Sequence, residues 1–271
     1  MWYRIFRMTV EERRKRLEVA IELARKAGLL TLNHYHGENL VIDRKADDSP
    51  VTVADREAEA FLRRELEKAF PEDGILGEEE DEKVGSNANR WILDPIDGTE
   101  SFIRRVPQYG TMIALEVDGE SEIGVVSLPA LQEMVYGAKG LGARWIPPAR
   151  ATSVEAKVSS VSSLSEAVVL TTSVTGIERV GHGEAWRSLL EATRESRGWG
   201  DCYGHLLVAT GRAEIMVDPV MKIWDCAPLK PILEEAGGRF TDWGGVGTID
   251  GGNAFSSNGL LHDDALAFFQ S

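Results

Sequence analysis

Apolar residues in the N-terminal part of the chain recur at the three- and four-residue steps of an amphipathic helix. Thr9 and Glu12 have capping-box spacing, and the inward positions that follow are Leu17, Ile21, Ala24, Gly28, Leu32 and Tyr35. This pattern predicts a helix of about seven turns, and we interpret the basic residues 13–16 as its solvated face rather than a ligand site. A short strand at 40–44 then precedes a second helix that starts at Thr52 and stops at Pro71.

The period changes to short β-rich runs in the middle of the chain. The predicted strands there are 75–76, 91–93, 111–117, 123–128 and 134–137, with the hairpin dipeptide Asp118-Gly119 between two of them. After Pro147-Pro148, predicted strands at 168–172, 214–217 and 239–242 alternate with helices at 186–192, 203–210, from Asp225 and at 263–269. We predict one domain over 1–271, with an antiparallel-rich α+β half at 1–150 and an alternating α/β half at 151–271.

Two prolines fall inside the helix predicted from Asp225. Pro228 suits a first helical turn, where its missing N–H has no helical partner. Pro231 lies deeper, so we expect it to kink this helix.

Composition and charge narrow the function classes. The chain of 271 residues has 43% hydrophobic and 27% charged residues, the balance of a folded protein. Its formal net charge of −14 excludes passive binding to nucleic acid or anionic membranes as the main function. Two cysteines cannot build a multi-bridge framework, residues 1–7 lack a signal-peptide core, and no stretch approaches the ~18 apolar residues of a membrane span. We therefore expect a cytoplasmic protein.

The densest chemical motif is an apolar strand that runs into two acids three residues apart. It reads Trp91-Ile-Leu-Asp94-Pro95-Ile96-Asp97-Gly98-Thr99. Acids so placed can face one point beyond the strand end, with a backbone carbonyl between them, and hard divalent cations prefer such oxygen ligands. The amides of Gly98 and Thr99 can hold an anion such as phosphate. Taken alone, the segment is equally typical of an Asp-Pro turn followed by an Asp-Gly turn.

Two further acidic segments favour the metal interpretation. Gly77-Glu78-Glu79-Glu80 follows a short apolar run, and Trp224-Asp225 opens a predicted helix. Alone, the first is typical of a solvated loop and Asp225 of a helix cap. Together with Asp94 and Asp97, these segments provide enough acids for two adjacent magnesium sites.

These segments resemble the three signatures of the inositol monophosphatase family. The signatures are Gly77-Glu78-Glu79, Asp94-Pro-Ile-Asp-Gly-Thr99, and Trp224-Asp225 with Glu235-Ala-Gly-Gly238, and their order and spacing match over nearly the whole chain. Within the family, three looser matches are most similar to the histidinol-phosphate phosphatase branch. They are the segments 101–104, 199–212 and 217–219.

The resemblance implies a layered αβαβα sandwich of the inositol monophosphatase and fructose-1,6-bisphosphatase type, usually a homodimer, with two or three Mg²⁺ ions per active site. Carried over by position, Glu78, Asp94 and the Ile96 carbonyl would hold the first ion, and Asp94, Asp97 and Asp225 the second.

The resemblance also implies a catalytic role for a threonine. Thr99, oriented by Asp55 and near Glu78, would lie beside the attacking water. Asp55 has an alternative role, because the third residue of a helix is well placed against the helix dipole without any part in catalysis.

Further substrate contacts are expected from residues outside the metal set. Histidinol phosphate carries an ammonium and an imidazole, so its site should present extra carboxylates, for which Asp201 and Asp218 are candidates and Glu100 a third. Asp201 is equally suited to capping the helix that follows, and Asp218 to an ordinary Asp-Pro turn. Arg197 has either the phosphate or a partner subunit as its target, and His205, one helical turn after Asp201, is a candidate for the same pocket.

The resemblance thus predicts a magnesium-dependent phosphomonoesterase that hydrolyses histidinol phosphate, in histidine biosynthesis, with a metal-activated water. Its substrate would meet Asp97, Gly98, Thr99, Arg197, Asp201 and Asp218. The alternatives are an inositol monophosphatase, a broad-specificity phosphatase for small phosphomonoesters and, from another class, a non-catalytic regulatory binding protein. We expect a small phosphorylated metabolite and a second copy of the chain as partners, and neither nucleic acid nor membrane.

Overall fold

A computed structural model describes residues 8–37, 42–44 and 50–270. The α-helices of these residues are Val10–Tyr35 (α1), Val53–Ala69 (α2), Thr99–Ile103 (α3), Val174–Arg179 (α4), Gly183–Ala192 (α5), Asp201–Ala209 (α6), Ile223–Glu235 (α7) and His262–Leu266 (α8). Their β-strands are Ile42–Arg44 (β1), Pro50–Thr52 (β2), Gly74–Gly77 (β3), Asn89–Asp97 (β4), Gly110–Val117 (β5), Glu120–Leu128 (β6), Glu133–Ala138 (β7), Gly142–Ile146 (β8), Val154–Glu155 (β9), Val168–Leu170 (β10), Glu195–Arg197 (β11), Ile215–Asp218 (β12), Arg239–Thr241 (β13) and Ala254–Ser257 (β14). Residues 1–7 and 40–41, on which two of our expectations fell, lie outside the described residues.

Helices and sheets alternate in five layers. Helices α1 and α2 cover one face of a seven-stranded sheet with the order β3-β4-β5-β6-β7-β8-β9. Helices α6 and α7 fill the space between this sheet and a five-stranded one with the order β11-β10-β12-β14-β13. Helix α5 and the turn of 3₁₀ helix at Ala267–Phe269 cover the outer face of the second sheet. The expected αβαβα sandwich is confirmed.

The first sheet is antiparallel except at one edge, as expected for the first half. Strands β3 and β4 run parallel, and every other neighbouring pair is antiparallel. Asp118 and Gly119 close the β5–β6 hairpin with positive φ values of 51° and 84°, which confirms the predicted turn. The second sheet is mixed, because β14 pairs antiparallel with both β12 and β13.

Of the basic residues at the start of α1, Arg14 and Lys15 are exposed as expected, but the expectation was wrong for Arg13 and Arg16. Arg13 and Arg16 are only 9% and 6% exposed. Arg13 donates to Glu122 on β6, and Arg16 pairs with Asp73 while its guanidinium lies 4.3 Å from the centroid of the Phe70 ring. The apolar part of a long basic side chain can pack over the edge of the core when its charged end forms an ion pair with an acid.

Helix α7 continues through both of its prolines. The structure starts it at Ile223 rather than Asp225, so Pro228 lies in the second turn instead of the first. A proline at 231 leaves the Ala227 carbonyl without its helical N–H partner. That carbonyl accepts a hydrogen bond of 2.6 Å from Ser121 Oγ on β6, so the sheet supplies the missing donor.

No helix of the described ranges has the length and apolar character that a membrane crossing needs.

Candidate active site

A cavity of about 270 Å³ lies between the two sheets, where strands and helices that carry acids at their ends come together. Its polar wall is formed mainly by Asp97, Thr172, Arg179, Asp201, Asp218 and Asp225. These residues come from β4, the loop after β10, α4, α6, β12 and α7. The structure therefore brings together acids that the sequence separates by more than a hundred positions.

A break in the β4–β5 ladder aims the two acids of the central motif. The register of the two strands shifts between Asp94 and Asp97, so the backbone bulges there. The bulge is stabilised by the Ile96 amide, which donates to Asp94 Oδ1 at 3.0 Å. One carboxylate oxygen from each of Asp94, Asp97 and Asp225 lies within 4.8 Å of the others, a spacing suited to shared metal ions.

Asp225 combines the two roles that the sequence left open. It is the third residue of α7, and its Oδ2 accepts a 2.7 Å hydrogen bond from the Lys222 amide ahead of the helix. The same carboxylate belongs to the acidic cluster. Capping the helix therefore fixes the carboxylate within the site.

The carboxylates of this cluster are buried and repel one another. Burial, followed by the Asp225 charge, raises the pKa of Asp97 to about 7, and burial with the Glu78 charge raises the pKa of Asp225 to about 7. Burial, Glu78, Asp97 and Asp225 all raise the pKa of Asp94 well above its usual value. Among the described residues, the charges named as raising these three pKa values are those of acids. Oxygen ligands that repel one another in this way fit a divalent metal ion.

Glu78 lies beside Asp94 because it follows the strand that runs parallel to β4. Gly77 pairs with Leu93, and the Glu78 amide donates to the Leu93 carbonyl at 3.2 Å. Two parallel strands thus end at the same edge of the sheet with an acid next to each end.

Asp55 faces this group from α2. Its Oδ2 accepts from the Thr52 amide at 2.8 Å and the Thr52 hydroxyl at 2.6 Å, which confirms the capping box. Burial raises the pKa of Asp55 to about 6, and the Glu78 charge adds to this rise. Its second oxygen, Oδ1, is buried without a hydrogen-bond partner among the described residues. A buried unpaired acceptor is uncommon and calls for a ligand or water.

Thr99 begins α3 directly after Gly98, whose φ of 79° turns the chain out of β4. Its hydroxyl donates to the Ile96 carbonyl at 3.1 Å. We expected Asp55 to orient Thr99, but the structure shows no hydrogen bond between them, since Asp55 Oδ2 binds Thr52 and Oδ1 is unpaired.

Asp201 and Asp218 lie together on the wall formed by the second half of the chain. Asp218 Oδ1 accepts from the Thr172 amide at 3.2 Å, and the Asp201 amide donates to Thr172 Oγ1 at 2.7 Å. Burial, then the charges of Asp97 and Asp218, raise the pKa of Asp201 well above its usual value. Asp201 is the first residue of α6 and Gly200 its cap, so the structure does not support the alternative capping role of Asp201.

His205 does not line the cavity. It is fully buried behind Asp218, with Nε2 at 3.2 Å from Asp218 Oδ2 and Nδ1 at 2.7 Å from Ser256 Oγ. It therefore supports Asp218 from the side of the second sheet.

Two residues named from the sequence lie away from the acids. Arg197 pairs with Glu195 and lines a neighbouring cavity of about 280 Å³, which shares Thr172 with the acidic one. Glu100 is exposed and pairs with Arg104. Sequence reasoning missed Thr172 and Arg179, because neither lies in an acidic motif and only the folded second half brings them to the cavity.

Comparisons with known proteins agree with this geometry. A profile described as the inositol monophosphatase family matches residues 12–266. A histidinol-phosphatase of Chlorobaculum parvum is 44% identical over 93% of this chain and 95% of its own length, and one of Mycobacterium tuberculosis is 40% identical over 92% and 96%. An inositol monophosphatase structure from Zymomonas mobilis superimposes with a TM-score of 0.81 at 32% identity, over 95% of this chain and 98% of that one.

Members of this family are metal-dependent phosphatases that act on small phosphorylated substrates, and the acidic cluster has the ligands that such chemistry requires. The resemblance of the three acidic segments is confirmed over almost the full chain, in sequence and in fold. The protein belongs to the inositol monophosphatase family.

Proposed function

We propose that the protein is a magnesium-dependent phosphatase that hydrolyses histidinol phosphate to histidinol and phosphate, a step of histidine biosynthesis. The observation that carries the proposal is the pair Asp201 and Asp218, on the cavity wall beside Asp97 and Asp225. A substrate with an anionic phosphate and a cationic end fits this cavity, because the metal-binding acids would take the phosphate through bound cations and the other two acids would take the cationic end. The relatives named histidinol-phosphatase, at 44% and 40% identity, support the same substrate.

The metal-binding residues would divide as the family resemblance implies. Glu78, Asp94 and the Ile96 carbonyl would hold one Mg²⁺, and Asp94, Asp97 and Asp225 a second, with two or three ions in a complete site. When bound, such ions supply a water of lowered pKa and stabilise the charge on the leaving oxygen.

The chain itself would position the phosphate and the water. Gly98 and Thr99 present backbone amides at the turn out of β4, where they would donate to phosphate oxygens beside Asp97. The Thr99 hydroxyl, now on the Ile96 carbonyl, would turn toward the attacking water. Asp55 Oδ1, which has no hydrogen-bond partner among the described residues, would accept the proton that this water loses.

Asp201 and Asp218 would hold the ammonium and imidazole of the substrate. A charge-assisted hydrogen bond of this type contributes ~1.5–3 kcal/mol, enough to select histidinol phosphate over a neutral phosphomonoester. The Thr172 amide and His205 bind the Asp218 carboxylate, and Thr172 Oγ1 accepts from the Asp201 backbone amide, so the carboxylate of Asp218 and the backbone of Asp201 are held before the substrate arrives. Such fixed orientation lowers the entropy cost of binding.

An inositol monophosphatase needs hydroxyl partners at this wall, and two adjacent carboxylates suit a dication better. A non-catalytic regulator would not need the complete set of Glu78, Asp94, Asp97 and Asp225. We further propose a cytoplasmic homodimer of single-domain chains. The core between the sheets supports the single domain, because it joins residues such as Ile92 and Leu206 from the two halves.

The test is a panel of histidinol phosphate, inositol phosphate and fructose bisphosphate, assayed with Mg²⁺ and again in excess chelator. We expect the highest kcat/KM for histidinol phosphate and no activity in chelator. Asp218→Asn should shrink the preference over a neutral ester about ten- to a hundredfold while hydrolysis of that ester survives. A wild-type preference for inositol phosphate would contradict the assignment of histidinol phosphate as the substrate. Full activity in excess chelator would contradict the metal-dependent mechanism.

A further inference from the structure

We infer that Glu59 is a positioning residue that holds the loop of Glu78 in its metal-binding conformation. The inference rests on the proposed metal-binding role of Glu78. Glu59 does not reach the cavity, and its contacts are with the backbone just after Glu78.

Glu59 binds two consecutive amides of that loop with its two oxygens. Oε2 accepts from the Glu79 amide at 2.8 Å, and Oε1 accepts from the Glu80 amide at 3.1 Å. Arg63, one turn later on α2, donates to Glu59 Oε1 at 2.8 Å and to the Glu80 carbonyl at 2.7 Å. The two side chains therefore bind two donors and one acceptor of three consecutive peptide units.

The end of β3 comes close enough to Glu59 that it tolerates no side chain. A Cβ at Gly77 would lie 2.0 Å from Glu59 Oε1 and 2.3 Å from its carboxyl carbon. Gly77 is the last residue of β3 and the residue before Glu78. Glu59 thus touches the backbone on both sides of the proposed metal ligand.

Helix α2 presents two acids to this loop one turn apart. Asp55 lies close enough for the Glu78 charge to raise its pKa, while Glu59 lies behind the loop and is fully buried. Burying a carboxylate is unfavourable unless donors surround it. The donors here are the loop amides and Arg63, so the loop and the buried charge satisfy each other.

This arrangement fixes where Glu78 points. Residues 78–80 are outside the strands of the sheet, and Glu59 supplies acceptors that a ladder would otherwise provide. Replacing the carboxylate by an amide places an NH₂ group against a backbone N–H, so one of the two contacts must be lost. We expect a looser loop and weaker binding of the ion that Glu78 holds.

The test compares Glu59→Gln with Glu57→Gln, a control on the same helix whose exposed side chain pairs with His34. Isothermal titration of Mg²⁺ into metal-free protein should show about tenfold weaker binding for Glu59→Gln and no change for the control. Hydrogen exchange of the Glu79 and Glu80 amides in metal-free protein should speed up in Glu59→Gln alone. With saturating Mg²⁺, kcat should approach the wild-type value.

Two further measurements separate positioning from a general structural role. In a Glu78→Gln background, Glu59→Gln should weaken Mg²⁺ binding no further, and an added loss of the same size would overturn the inference. If Glu59→Gln does not fold, Arg63→Lys keeps the charge, loosens the hold on Glu80 and should weaken binding in the same direction. Unchanged exchange and unchanged affinity in folded variants would also overturn it. Wild type that binds no Mg²⁺ would refute the proposed function, whereas the exchange experiment would still test the hold of Glu59 on the loop.

Discussion

A buried carboxylate lies near each end of strand β4, and the two differ in the partners that the protein gives them. Asp73, beside the start of the strand, and Asp94, near its end, are each only 1% exposed. Asp73 is fully satisfied by the protein, because it pairs with Arg16 and accepts from Trp91 Nε1 at 2.9 Å and Asn87 Nδ2 at 2.8 Å. Among the described residues, the Ile96 amide donates to Asp94, and the charges that raise the pKa of Asp94 are those of Glu78, Asp97 and Asp225.

This difference in partners indicates that Asp73 has a structural role and Asp94 a functional one. A buried charge costs several kcal/mol unless it is paired, and at Asp73 the chain provides the pair. At Asp94 the described charges that raise its pKa are those of other acids, so a bound cation would offset the cost of burial there. The same Asp→Asn substitution should therefore harm stability at one end of β4 and activity at the other.

Asp94→Asn should have the largest effect on the reaction. Asp94 is expected to contact both ions, so its loss should lower kcat roughly 10³-fold, in the range found when one strong electrostatic contact is removed from a site. In metal-free protein the substitution should raise the free energy of unfolding, since it removes one charge from a repulsive group. Steady-state kinetics and urea unfolding in chelator measure the two effects. Asp264→Asn, exposed on α8, is the control, and an active Asp94→Asn enzyme would contradict the assignment.

Asp73→Asn should reverse that pattern. The substitution removes the buried partner of Arg16 and leaves it the exposed Glu12 at 3.6 Å, so we expect the free energy of unfolding to fall by about 3 kcal/mol. The folded fraction should keep its kcat, because Asp73 does not line the cavity. Urea unfolding and kinetics at a temperature where the variant is folded give both values. A stable variant with low kcat would show that the two ends of β4 are not independent.

Thr99→Val sharpens the comparison at the functional end of β4. Loss of the hydroxyl should lower kcat roughly 10²-fold with little change in Mg²⁺ affinity, the usual size for a group that positions a reacting water. Thr111→Val is a matched control, because Thr111 Oγ1 donates to the Pro95 carbonyl of the same bulge at 2.9 Å. That control should cost about 1 kcal/mol of stability and leave kcat unchanged. Equal kcat values for the two variants would reduce Thr99 to a turn residue.

Local signals in the sequence predicted much of this arrangement. The capping residues Thr9 and Thr52 and the hairpin at 118–119 depend on neighbours within four positions, and all three are confirmed. The convergence of the acids at 94, 97 and 225 was predicted from their places at strand and helix ends, and the structure gathers them within 4.8 Å.

What the sequence did not predict depends on distant partners. Arg13 and Arg16 were expected in solvent, but Glu122 and Asp73, the acids that let them be buried, are 109 and 57 positions away. In the same way Arg179, and not Arg197, lines the acidic cavity. Tertiary packing determines where the side chain of a single arginine points, and sequence periodicity does not predict it.

His262 shows a third way to bury an ionisable group, which is to keep it neutral. The ring is fully buried, and it contacts Ser257 Oγ at 2.9 Å and Thr241 Oγ1 at 3.1 Å. The Thr241 hydroxyl donates to the Asp242 carbonyl, so it accepts from Nε2–H, and Nδ1 is left to accept from Ser257. Burial, followed by the charge of Arg239, lowers the pKa of His262 to about 4.

This lowered pKa predicts the smallest of the effects and a definite sign. Above pH ~6.5 His262 is neutral in both states, whereas between pH ~6.5 and 4 only the unfolded chain gains the proton, so stability falls as the pH falls. Between pH 8 and pH 5 this group should cost about 2 kcal/mol of the free energy of unfolding. His262→Gln should lack this contribution, while the carboxylates titrate alike in both proteins and cancel in the difference. Urea unfolding at the two pH values measures it, and an identical pH dependence for wild type and variant would show that folding does not lower the pKa of His262.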